Sequence, residues 1–263
     1  GTGKTHLARA IGKSLRCHLE VLSIAQAVRG EVGVGEAAIR AAVANAKKLA
    51  PSVLFIDEFQ AIFTARSNPG DSDSSNGSDV GQSLSSSLAA AFDSIHSWNS
   101  HVGAKNMVLV LGATNEPWAV DTGFLRGGRF DRTVFVGPLG EEERKEYLVQ
   151  RVKILQRLIA RGAGIKVVVG SSGAKEKDSS AALEALGALV AANTTLYSGA
   201  DLQLLVQRAL QCAVEAVGSE SGDAPAILRL LEEHFTEALT LSEPSATSRD
   251  IEKYHRWGST QHG

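Results

Sequence analysis

The run Ser52-Val53-Leu54-Phe55-Ile56-Asp57-Glu58 constrains this chain more than any other stretch. Its four central apolar residues do not alternate with polar ones, so a strand formed here is covered on both faces. That is the habit of a parallel sheet sandwiched between helices, and the run closes on two acids at the strand's carboxyl end. Met107-Val108-Leu109-Val110-Leu111-Gly112-Ala113-Thr114-Asn115 repeats the pattern, ending in polar residues. His18–Ile24 and Thr133–Val136 read as shorter strands, and Gly137-Pro138 stops the second of these. Between them, helical spacing covers Thr5–Leu15, about Glu36 to Leu49, closed by Pro51, and Leu88–Ile95. Strands alternating with helices predict an α/β fold with a parallel sheet. The Ser, Asn, Asp and Gly that dominate 67–87 read as a mobile loop.

After Gly140 the pattern becomes helical only. Segments at Glu141–Ile159, Ala181–Ala192, Asp201–Val217, Ile227–Leu241 and Ser248–Trp257 predict a small all-helical second domain. A Gly/Ser/Lys-rich insertion at about 161–180 is expected to be exposed. The boundary falls near Gly137–Gly140, giving an α/β domain over 1–138 and a helical one over 139–263.

The charge balance narrows the function classes. Lys plus Arg total 27 against 29 Asp plus Glu, a net charge of −2, which gives no electrostatic case for binding nucleic acid or a membrane surface. No apolar run approaches the ~18 residues of a membrane span, so no membrane insertion is expected. Cys17 and Cys212 cannot build a disulfide framework, consistent with a reducing compartment, cytoplasmic or nuclear. None of the seven histidines forms an HExxH zinc signature.

The chain opens Gly1-Thr2-Gly3-Lys4-Thr5, the second half of the phosphate-binding pattern G-x-x-x-x-G-K-[ST]. Glycines let successive backbone N–H groups converge on an anion, and the following helix adds its positive end. Lys4 then suits the β and γ phosphates, and the Thr5 hydroxyl suits Mg²⁺. A glycine-rich helix cap with a solvated lysine is the plainer alternative. Such a loop follows a strand, so the sequence reads as a fragment of a longer chain. The bare chain without that strand is expected to be poorly stable and inactive.

Taken together, the order of these pieces resembles the AAA ATPase family over nearly the whole chain. Gly1–Thr5 is similar to the end of its Walker A loop, Val53–Glu58 to its Walker B strand, and Gly112–Asn115 to its sensor-1 strand. Asp121–Arg132 resembles its arginine-finger segment, and Ser198-Gly199-Ala200-Asp201-Leu202 the start of its sensor-2 helix. The resemblance implies a P-loop parallel sheet with a helical lid, ATP and Mg²⁺ as ligands, and ATP hydrolysis. Gly1, Thr2, Gly3, Lys4, Thr5 and His6, with Gly199 and Ala200, would bind ATP. Thr5 and Asp57 would hold Mg²⁺, Glu58 would polarise the attacking water, and Asn115 would orient it or the γ-phosphate. Arg126 and Arg129 would reach a neighbouring subunit's site and stabilise its transition state, which makes hydrolysis depend on assembly. A basic turn pairing with Asp131 is the alternative for that segment, and a plain helix start capped by Asp201 the alternative for Gly199-Ala200.

The resemblance further implies a homo- or hetero-hexamer whose strokes unfold or disassemble protein complexes, with protein clients and adaptors as partners. Two departures qualify this. Glu31-Val32-Gly33 falls where the family carries an aromatic pore loop, and a carboxylate prefers to stay wet rather than grip a threaded chain. Residues 79–87 lack an arginine usual in the family. An ATP-dependent assembly or scaffold subunit of a mixed ring, with weak pulling, is therefore a second reading. The C-terminal stretch from His234 to Trp257 and Leu125–Asp131 resemble second ATPase modules of valosin-containing-protein-like double rings, with the severing branch as runner-up.

Overall fold

The computed structural model describes residues 2–29, 33–64, 75–170, 179–218 and 227–261. The expectations placed on Gly1, Glu31 and Val32 lie outside the described residues. The chain forms two compact units, one over Lys4–Phe135 and one comprising Gly1–Gly3 and Val136–Gly263.

The first unit runs α1 (Lys4–Leu15), β1 (His18–Ser23), α2 (Ile24–Arg29), α3 (Val34–Lys48), β2 (Ser52–Asp57), α4 (Ala61–Thr64), α5 (Ser75–His101) and β3 (Val108–Gly112). Its strands form a parallel sheet in the order β1-β2-β3, with Phe55 in register with Val21 and Leu111. The apolar run at 53–56 behaves as its composition requires. Leu54 and Ile56 meet Ile39, Val43 and Ala46 of α3 and Leu84, Leu88 and Phe92 of α5. Phe55 turns the other way, onto Ala8 of α1 and Ala113. Asp57 thus emerges at the carboxyl end of a strand covered on both faces.

Two readings of this unit are corrected. Residues 75–87 are not loop: α5 begins at Ser75. Leu84 lies four residues before Leu88, in phase with Ala91, Phe92 and Ile95, and this buried stripe overrides the poor helix propensity of the serines. Thr133–Val136 is not a strand either. It joins no sheet among the described residues, and Val134 is 76% exposed. An extended segment needs a ladder to become sheet. Among the described residues β3 pairs only with β2, and Leu109, expected to be covered, is 45% exposed.

The second unit comprises α6 (Glu141–Ala163), β4 (Lys166–Gly170), α7 (Ser179–Ala192), α8 (Gly199–Gly218), β5 (Ile227–Leu231), α9 (Glu232–Thr240) and α10 (Ser248–Gln261). The helix-only pattern is corrected here by a two-stranded parallel sheet, β4 beside β5, with Val168 opposite Arg229. Both strands alternate: Val167 and Val169, like Leu228 and Leu230, are buried against the helices. Five-residue strands are too short to stand out from helical periodicity. The insertion at 161–180 therefore supplies the last turn of α6 and all of β4.

Helix termini in this unit are satisfied by side chains. The Gly140 amide donates to Glu143 Oε2 at 2.8 Å, closing the start of α6. Arg144 is only 5% exposed. Its guanidinium donates to Ala191 O at 2.9 Å, at the carboxyl end of α7, and to Leu139 O at 2.8 Å.

Candidate functional site

The candidate site is built where β2 and β3 end and α1 begins, all within the first unit. Gly3 has φ +92°, and nothing lies within 4 Å of where a Cβ would stand. Only glycine takes this backbone easily, and it leaves the start of α1 open. α1 carries no acid in its first turn, so the positive end of its dipole is not offset by a carboxylate of its own. His6 is exposed on that turn.

Four side chains from three elements meet here. The Thr5 hydroxyl donates to Asp57 Oδ2 at 2.9 Å, and Lys4 Nζ donates to Asn115 Oδ1 at 2.6 Å. Burial pushes the Lys4 ammonium below the usual lysine range, against the opposing attraction of Asp57. β2 delivers Asp57, and the stretch just beyond β3 delivers Asn115. Their juxtaposition is held by the backbone: Ala113 N donates to Ile56 O at 2.8 Å, and Phe59 N to Ala113 O at 3.0 Å. Sequence reading singled out Lys4, Thr5, Asp57 and Asn115 separately; the fold brings them together, and the Lys4–Asn115 bond is a pairing that spacing alone does not reveal.

Glu58 stands beside them with φ +52°, a left-handed conformation uncommon outside glycine. Its amide donates to Asp57 Oδ1 at 3.0 Å, and its own side chain is exposed. The reversal at Glu58 sends consecutive carboxylates in different directions, so Asp57 stays with Thr5.

A hydroxyl and a carboxylate oxygen at one point suit a hard divalent cation, which takes few protein ligands and fills its shell with water and phosphate oxygens. The donor set therefore fits Mg²⁺. No cluster of three or more His, Cys, Asp or Glu able to hold a metal occurs among the described residues.

The segment 121–132 is separately anchored. Arg126 is exposed; its carbonyl accepts from the Arg129 amide at 3.1 Å, and no hydrogen bond or ion pair engages its side chain among the described residues. Arg129 is half-buried: its Nη1 donates to Gly123 O at 3.0 Å, and its guanidinium lies 5.0 Å from the Phe124 ring centroid. Asp131 accepts from the Gly128 amide at 2.7 Å, so the carboxylate closes the turn instead of pairing with an arginine. Phe124 packs edge-to-face on Phe59, Phe63 and Phe92, and Phe130 does so on Phe59 and Phe92. The sequence gives these rings no role: Phe124 and Phe130 are apolar residues in a mainly polar loop, while Phe63 and Phe92 lie on α4 and α5.

In the second unit, the Ser198 amide donates to Asp201 Oδ2 at 2.8 Å and the Asp201 amide to Ser198 Oγ at 3.3 Å, a reciprocal cap on α8 around Gly199 and Ala200. Ser245 Oγ also donates to Asp201 Oδ2, at 2.7 Å. Burial alone would raise the Asp201 carboxyl, but the bonds from Ser198 and Ser245 outweigh it and hold it below the usual range. Of the pore-loop residues, Gly33 is described, with φ +90° at the start of α3.

No described helix is long and apolar enough to cross a membrane. The chain is 30% identical to Cell division control protein 48 homolog B of Arabidopsis thaliana, over 97% of this chain and 35% of that protein. It is 26% identical to the Cell division cycle protein 48 homolog of Archaeoglobus fulgidus, over 97% of this chain and 31% of that one. It thus spans about a third of the length of these curated relatives. Among solved structures, the AAA domain of FIGL-1 in complex with ADP superposes with a TM-score of 0.71 at 21% identity, covering 99% of this chain and 75% of that one. That likeness speaks for the fold alone. Residues 1–138 match the ATPase family associated with various cellular activities (AAA), a match that takes in the whole three-stranded sheet and the four side chains gathered at its end. The chain belongs to the AAA family.

Proposed function

We propose that this chain binds ATP with Mg²⁺ at the carboxyl end of its sheet and hydrolyses it, as one subunit of a ring that remodels protein complexes. The observation that carries the reading is the meeting of Lys4, Thr5, Asp57 and Asn115 at the open start of α1. Lys4 and the first-turn amides hold the phosphates, aided by Thr2, Gly3 and His6. Thr5 and Asp57 hold Mg²⁺, which supplies charge neutralisation to the phosphate oxygens when bound. Glu58 takes a proton from the attacking water, and Asn115 orients that water or the γ-phosphate from the neighbouring strand tip. Arg126 and Arg129 serve the site of the adjacent subunit. Residues 1–138 act as the nucleotide-binding domain and 139–263 as its lid, with Gly199 and Ala200 approaching the adenosine.

The hexameric state, the protein clients and adaptors, and a cytoplasmic or nuclear location are part of this proposal. They rest on the motif order and on the family. Glu31, a carboxylate where an aromatic is usual, favours a second reading: an ATP-binding assembly subunit of a mixed ring that pulls weakly. In that case Lys4→Ala abolishes oligomers by light scattering, while Glu31→Tyr leaves client unfolding unchanged.

The test of the main reading is Glu58→Gln in the full-length protein. Turnover is expected to fall ~10²–10⁴-fold, the range of a lost general base, with ATP still bound. Undiminished turnover would remove Glu58 from the mechanism.

A further inference from the structure

The two arginines of the 121–132 segment are three residues apart, yet the structure treats them differently. The Arg126 side chain is exposed and takes part in no hydrogen bond or ion pair among the described residues. Arg129 is held twice inside its own chain, by the Gly123 carbonyl at 3.0 Å and by the Phe124 ring at 5.0 Å. We propose that Arg126 alone is presented to the neighbouring subunit, and that Arg129 is the positioning residue that sets the shape of the loop carrying it. This rests on the trans-arginine reading above and divides it between two side chains.

The loop has little regular structure with which to hold itself. Its turns are short: Phe124 N donates to Asp121 O at 2.9 Å, Leu125 N to Thr122 O at 3.1 Å, and Arg129 N to Arg126 O at 3.1 Å. Gly128, at φ +88°, allows the last of these turns. Its shape therefore depends on anchors at each end. Phe124 is 3% exposed, locked among Phe59, Phe63 and Phe92. Phe130 lies so close to Gly112 that a Cβ there would meet its Cζ at 2.5 Å. The Phe130 amide donates to Phe124 O at 3.1 Å, drawing the two anchors together. Arg129 spans the remaining gap. Its Nη1 binds the carbonyl one residue before Phe124, and its guanidinium stays within cation–π distance of that ring. For Arg129 to contact a phosphate on another subunit it would have to leave both partners.

The same anchoring links the loop to the chain's own site. Phe59 directly follows Glu58, and its ring touches both Phe124 and Phe130. The loop that serves a neighbour is packed against the residue next to this subunit's own proposed base.

Steady-state ATPase kinetics of the assembled full-length protein test the division of roles. Arg126→Ala and Arg126→Gln are both expected to lower kcat ~10³-fold or more, because an amide cannot replace the charge. Arg129→Ala lowers kcat about 100-fold, the scale of a catalytic group displaced by ~1 Å. Arg129→Gln recovers to within roughly fivefold of wild type, because its neutral amide supplies an N–H donor for the Gly123 carbonyl once the loop closes over the shorter side chain. The double variant Arg126→Ala/Arg129→Ala is no slower than Arg126→Ala alone, as expected when one residue acts only through the other. If Arg129→Gln is as inactive as Arg129→Ala, or the double variant is slower by another ~100-fold, Arg129 touches the nucleotide itself and the division is overturned. If Arg126→Ala leaves turnover intact, the trans-arginine reading fails with it, a separable result.

Discussion

Two helix starts in this molecule, α1 and α8, are built on similar material and finished in opposite ways. Both follow a small residue and both place a hydroxyl nearby. α8 closes on itself: Asp201 in its first turn accepts from Ser198 and Ser245, so its positive end is met by its own carboxylate. α1 has a glycine at φ +92° and no acid in its first turn; its Lys4 is turned to Asn115 and its Thr5 to Asp57 on other elements. The difference shows how a fold marks one helix start for structure and another for a ligand. A self-capped terminus gains stability from its anion, whereas an uncapped one leaves that place to an anion from outside.

The largest expected effect that would break this comparison is at Lys4. Lys4→Ala is expected to weaken ATP binding about 10–100-fold, the value of one or more charge-assisted bonds, measured by calorimetry. Its melting temperature at neutral pH should not fall, because losing the Asn115 bond is offset by relief of the ammonium's burial. Burial lowers the Lys4 pKa, so the charged form costs stability below the folded pKa, and that cost is relieved as pH rises through it toward the usual 10.5. The variant lacks this alkaline rise. A strongly destabilised Lys4→Ala protein would make α1 a structural terminus like α8.

Next in size is Asp201→Ala, expected to cost about 1 kcal/mol in urea melts, as for a lost capping acceptor. The Asp201 pKa is held down in the folded state, so its contribution is present above the unfolded carboxyl pKa and lost as pH falls through the folded one. The variant should therefore show a flatter acid limb. Equal acid slopes in both proteins would mean that the Ser198–Asp201–Ser245 bonds contribute little.

The smallest effect sharpens the contrast by making α1 resemble α8. His6 is exposed in the first turn of α1. His6→Asp adds an acid there and should stabilise the helix by about 0.3–1 kcal/mol while lowering ATP affinity. A stabilised variant that bound ATP more tightly would break the comparison.

How much of this was legible in the sequence depends on the range of the interaction that decides each element. β2 and the polar ends of β2 and β3 were legible, because two-sided burial leaves a continuous apolar run and a strand's end is where that run stops. The site residues were legible one at a time, since glycine, lysine and acid at fixed offsets state a chemistry. The first half of α5 was not: its serines carry the local signal for loop, and only contact of Leu84 with the sheet's helical face outweighs them. β4 and β5 were hidden because each is short and pairs across about sixty intervening residues. The rings around Phe124 were hidden for the same reason, since Phe59, Phe92 and Phe130 are far apart in sequence and meet only after folding.

The left-handed backbone at Glu58 has a consequence for how this chain tolerates change. An L-residue held there forgoes about 1–2 kcal/mol that glycine would not. Drift toward sturdier sequences accordingly runs downhill at position 58 toward the very exchange that would delete the proposed base. A hardier but silent protein is the easiest neighbour for this one to become.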